Sequence, residues 1–177
     1  MERIESRHDL DRKLLATLLL APVLLVSVLV AGSNAAQNSA PTPGQELLRE
    51  FAGSYDTDAF LRHPSFRPQL ERLLGEELEH LEWNLNVKGS VDVIGGWLAV
   101  SGNAPHQGTE EEAIVCVSTY NLEVGAAILS KGTVTAYARD GTYDSLPLCV
   151  KDWITQVNSQ HKDRFDQPQN VRMAGAR

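Results

Sequence analysis

The 177-residue chain has only two cysteines, Cys116 and Cys149. That is too few for a cysteine-based zinc site or a disulfide-dense scaffold. It has no surplus of positive charge either: 16 Lys and Arg stand against 23 Asp and Glu, a formal net charge of −7. With no basic excess to displace counterions from phosphates, the composition argues against nucleic-acid binding. There are no internal repeats, no phosphate loop, no dinucleotide fingerprint and no Gly-x-Ser-x-Gly. No two histidines lie four apart in one predicted helix, and no Cys or His cluster has zinc-ligand spacing. Neither a metal nor a cofactor is therefore expected. A Ser/His/Asp triad stays open, because triads are recognised by geometry rather than by order.

The 42% of hydrophobic residues suffice to bury one core, and the length fits one domain. Leu14–Ala31 carries no charged side chain, follows Arg12 and Lys13, and leads into Gly32-Ser33-Asn34-Ala35-Ala36. A basic flank, an apolar segment and small residues form the pattern of a secretory signal peptide, which assigns residues 1–36. The alternative is an uncleaved inner-membrane anchor, since 18 apolar residues just span a bilayer. Either way the remainder is exported, and its predicted location is the periplasm. It meets the membrane only if the segment stays uncleaved. No cysteine follows the apolar run, which excludes a lipoprotein anchor, and the whole −7 falls on residues 37–177.

Residues 37–55 read as a polar linker with a short helix over Gln45–Ala52. Asp58 is a plausible cap for a turn that His63-Pro64 breaks. Phe66, Leu70, Leu73, Leu74, Leu78 and Leu81 recur at helical spacing, with Gly75 as a point of division. Glu71, Glu76, Glu77, Glu79 and Glu82 lie on the other face and read as solvated.

From Leu85 the period changes to two. Alternation through Leu85, Val87, Val91 and Val93 predicts one strand, and Gly95-Gly96 a hairpin into a strand over Trp97–Ser101. Gly102–Thr109 is a loop, followed by strands over Ala113–Tyr120, Glu123–Ser130 and Thr133–Arg139. Leu146, Cys149, Val150, Trp153, Ile154 and Val157 then mark one helical face. The expected class is α+β: a five-stranded antiparallel meander with N-terminal helices and a C-terminal helix packed on one face. The domain spans 56–159, and residues 160–177 read as a flexible tail.

Four of the five histidines have bland readings: His8 in the signal, His63 in a turn, His80 solvated among glutamates, His161 near the tail. His106 differs, standing at the tip of a loop stiffened by Pro105 and bracketed by Gly102 and Gly108. Cys116 lies in an apolar strand and Cys149 on an apolar helix face, which argues for inert sulfurs. In an exported protein they are candidates for a disulfide if the fold brings them within about 7 Å.

Gly102-Asn103-Ala104-Pro105-His106-Gln107-Gly108, followed by Ala113-Ile114-Val115-Cys116-Val117, resembles the inhibitor of vertebrate lysozyme (Ivy) family. In that family the loop reads Cys-Lys-Pro-His-Asp-Cys, so only Pro105 and His106 are identical to it. Asn103 and Gly108 stand where the family has its two cysteines, which predicts a floppier loop. The coarse match runs from about Asp56 to Val157. The resemblance implies a non-enzymatic binding protein whose Asn103, Ala104, Pro105, His106 and Gln107 enter the cleft of a C-type lysozyme or another muramidase. Homodimerisation is left open. Two other readings compete: a periplasmic hydrolase using His106 with Glu110, Glu111 or Glu112, and a membrane-anchored envelope module.

Overall fold

Thr42 opens the first helix. Its N–H donates to the Gln45 side chain at 3.0 Å, its own hydroxyl accepts from the Gln45 N–H at 3.3 Å, and Pro43 takes the first helical position, where no amide proton is needed. The computed structural model describes residues 40–161 and 170–175, which belong to the unit Ser39–Arg177. The signal or anchor expected over 1–36 lies outside the described residues.

Helix α1 (Pro43–Phe51) buries Leu47 and Phe51. Helix α2 (Thr57–Leu61) is capped by Asp56 rather than Asp58, because the Asp56 carboxylate reaches the Ala59 N–H at 3.2 Å. Helices α3 (Arg67–Leu74) and α4 (Leu78–Asn84) carry the leucine stripe, divided as expected by a 3₁₀ turn that starts at Gly75 with φ 55°.

Among the described residues the sheet has seven strands, not five: β1 (Val87–Lys88), β2 (Asp92–Ile94), β3 (Trp97–Asn103), β4 (Glu111–Ser118), β5 (Val124–Ser130), β6 (Thr133–Tyr137) and β7 (Arg172–Ala174). Their order is β1-β3-β4-β5-β6-β7, with β2 also on β3. The single strand expected over 85–93 is two short ones. Leu85 closes α4, and the Val91 backbone is taken by the turn after α1, accepting from the Gly53 N–H and donating to the Ser54 carbonyl, both at 2.8 Å. Gly95-Gly96 makes the predicted two-residue turn, both residues at positive φ, with Ile94 opposite Trp97. The meander is antiparallel through β6.

The expected flexible tail contains β7, which pairs in parallel with β6. Val171 is buried and Met173 packs beside it, a two-residue alternation too short to stand out within a polar segment.

The helices cover both faces of the sheet rather than one. Leu98, Val100, Ala113, Val115, Val117, Ala126 and Ile128 pack with α1–α4. Ala99, Ile114, Cys116, Ala127 and Leu129 pack with helix α5 (Leu148–Gln160). Because both faces are covered, β4 and β5 are apolar on both, which hides the sidedness in the sequence. Cys116 on β4 and Cys149 on α5 are both fully buried and disulfide-bonded, with Cα atoms 6.5 Å apart.

Candidate functional site

Strand β3 runs two residues further than its hydrophobic pattern suggests, through Gly102 and Asn103. Here β1 pairs Lys88 with Gly102 and Val87 with Asn103. A Cβ on Gly102 would collide with the Val87 carbonyl oxygen, so the close approach of β1 requires glycine there. The loop itself is Ala104–Glu110.

Its tip is a tight turn. The Gln107 N–H donates to the Ala104 carbonyl at 3.0 Å across Pro105 and His106. Pro105 supplies the fixed φ of the second position, and His106 at φ 62° supplies the left-handed third, the pattern of a type II turn. A non-glycine residue in that region costs about 1–2 kcal/mol. In return, the imidazole is thrown outward: His106 is exposed, and its ring has no hydrogen bond or ion pair among the described residues.

The loop base is closed from both sides. The Ala104 N–H donates to the Glu111 carbonyl at 2.9 Å, and the Glu111 N–H donates to the Gln107 carbonyl at 3.0 Å. The Asn103 side-chain amide donates to the Ala104 carbonyl at 2.7 Å. On the far shoulder the Thr109 N–H donates to the Glu112 carboxylate at 2.6 Å, and His161, just past α5, lies 3.0 Å from the Thr109 carbonyl through Nε2. The loop therefore has hydrogen-bonded closure at its base. Positions 103 and 108 also face each other: a Cβ on Gly108 would lie 3.9 Å from the Asn103 Cγ.

Of the five residues expected at the binding surface, His106 and Gln107 are exposed, Asn103 and Pro105 are half-buried, and Ala104 is fully buried. Ala104 is therefore an internal anchor of the turn, since its N–H and carbonyl both serve the closure. Of the three carboxylates considered as catalytic partners, Glu110 is exposed and the other two are engaged elsewhere. Glu112 caps Thr109, and Glu111 accepts from His80, Asn84 and Ser130. Among the described residues, no second group is hydrogen-bonded or ion-paired to His106.

The family model described as inhibitor of vertebrate lysozyme (Ivy) matches residues 65–160, more than half of the chain. The chain belongs to the Ivy family. The matched segment runs from just before α3 to the end of α5. It thus includes strands β1–β6, the 104–110 loop and the disulfide, and it leaves out α1, α2 and β7. Ivy is a family of inhibitors and not of enzymes. Comparison with curated proteins and with solved structures returned no match.

Sequence reasoning missed three side chains that act on this Ivy loop. His80, read as solvated, joins Glu77 at 3.2 Å to Glu111 at 3.0 Å. Asn84, fully buried, donates to the Glu112 and Leu129 carbonyls at 3.2 Å each. His161 braces Thr109. No local pattern signals them, because, Glu77 apart, their partners lie 27 to 52 residues away.

Proposed function

We propose that this chain is an exported, periplasmic inhibitor that inserts the 104–110 loop into the active-site cleft of a C-type lysozyme or related muramidase. The observation that carries this reading is the exposed His106 ring at the tip of a tight turn, with no partner among the described residues. Such enzymes work with two carboxyl groups flanking the scissile bond. An imidazole between them donates from one nitrogen when neutral and from both when protonated. No chemistry is required of the inhibitor. A preorganised turn lowers the ordering cost of binding, and the negative charge of residues 37–177 speeds encounter with a basic enzyme.

Export is supported by two observations. One is the signal-like sequence ahead of residue 37. The other is the Cys116–Cys149 bond, since disulfides persist in oxidising compartments. The test is an inhibition titration of C-type, G-type and bacterial lysozymes with the purified chain. Stoichiometric inhibition of a C-type enzyme is the expected result. Failure to inhibit any of them would leave the Ivy relationship as one of fold.

A further inference from the structure

Glu111 occupies an unusual place in this architecture. Its backbone closes the loop in both directions, and its side chain, 13% exposed, points back into the protein. There Ser130 on β5 donates to Oε1 at 2.8 Å. His80 on α4 lies 3.0 Å from Oε2, and the Asn84 amide donates to the same oxygen at 3.4 Å. One carboxylate thus gathers a helix and a neighbouring strand onto the residue that fixes the loop's register. Burial works to raise its pKa, but the hydrogen bonds from His80, Ser130 and Asn84 outweigh burial and hold it below the usual carboxylate range. Asn84 is committed to this junction: it keeps its Oδ1 buried without a partner while its amide serves Glu111, Glu112 and Leu129.

We infer that Glu111 is the positioning residue of the inhibitory loop: its ionised carboxylate latches the loop base to α4 and β5 and so sets where the His106 ring stands. This rests on the loop being the binding element. It adds that the loop's placement is maintained by a charge rather than by a covalent bond, and so is reversible. The titratable groups around Glu111 are His80 and, across that ring, Glu77; Asn84 and Ser130 are its neutral neighbours. A neutral His80 ring can donate to only one of the two glutamates, and a protonated ring donates to both. The latch fails at low pH, where Glu111 itself takes up a proton. The sign follows from the lowered pKa: the stabilisation is present above the unfolded carboxylate's pKa and is lost as pH falls through the folded one.

The experiment measures amide exchange protection in the full chain alongside lysozyme inhibition, for wild type, Glu111→Gln and Ser130→Ala. The reporters are the loop-closing amides of Ala104, Gln107 and Glu111, against Cys116 and Ala127 at the sheet centre. With Glu111→Gln, loop protection is expected to drop about tenfold or more, the equivalent of one charge-assisted hydrogen bond, with the sheet centre unchanged. Inhibition should weaken by a similar factor. Ser130→Ala, which removes one neutral donor, should give a smaller drop of about threefold and keeps the test valid should Glu111→Gln fold poorly. Wild-type loop protection should fall on acidification through the carboxylate range, while that of Glu111→Gln stays flat. Unchanged loop protection in both variants would overturn the latch whatever the inhibition data say. A loosened loop in the variants, with a wild type that inhibits no lysozyme, would uphold the latch and overturn the inhibitor reading alone.

Discussion

Two regions of this molecule are joined to the rest by opposite means. Between β4 and α5, two buried cysteines form a covalent bond spanning 33 residues of sequence. At the 104–110 loop, where the family carries a disulfide, Asn103 and Gly108 face each other unbonded, and hydrogen bonds from both flanks do the holding. The two devices differ in what they constrain. A disulfide acts largely by restricting the unfolded chain, whereas these hydrogen bonds exist only in the native arrangement. Covalent chemistry here secures the fold, and reversible chemistry positions the candidate binding element.

Removing the core bond should give the largest effect. Replacing Cys116 and Cys149 together by Ala is expected to cost roughly 2–4 kcal/mol in chemical denaturation. Well below the melting temperature, inhibition should be unaffected. Loss of inhibition in a folded, equally stable double variant would dissolve the division between the two regions.

The next effect belongs to the loop tip. His106→Ala should weaken lysozyme binding by about 2 kcal/mol or more, near thirtyfold, by titration. His106→Gly should lose as much binding while relieving the left-handed strain at φ 62°, so its melting temperature should equal or exceed that of His106→Ala. Equal affinity of either variant with wild type would remove the ring from the mechanism.

A smaller change comes from importing the core's device into the loop. Asn103→Cys with Gly108→Cys should close a second bond, since position 108 lies opposite the side chain at 103. Preorganisation should tighten binding up to about tenfold. Mass mapping must show the new pair alongside Cys116–Cys149. A bonded loop that binds more weakly would mean that the turn must flex to enter its target.

The smallest effect is expected at Glu110, exposed at the loop's edge. Glu110→Gln should alter mainly the association rate and its salt dependence, by about twofold, in stopped-flow measurements. A change concentrated in dissociation would place this side chain inside the interface.

Much of this arrangement was legible before any coordinates. The leucine stripe, its division at Gly75, the Gly95-Gly96 hairpin and the apolar face of α5 follow from periodicity and turn chemistry alone, which are local properties. The loop at His106 was visible for the same reason. Illegible were the features set by partners distant in sequence. Cys116 and its neighbours read as an apolar strand without saying which helix each face meets. Ala104 gives no local sign that it is buried. The His80–Glu111 contact spans 31 residues, and on its own helix His80 is one polar residue among glutamates.

The burial of β4 on both faces has a consequence for how the chain reaches its native state. A strand with one wet face betrays a one-residue slip at once, because the slip drives apolar side chains into water. Strand β4 lacks that penalty: odd positions Ala113, Val115 and Val117 meet one helical layer, and even positions Ile114 and Cys116 meet the other. Within the apolar stretch 113–117, Cys116 tells the faces apart, because a slip by one would turn it away from Cys149. In an oxidising compartment, bond formation thus acts as a parity check on the strand: chains with the even positions toward α5 are sealed, and slipped ones stay open to re-registration.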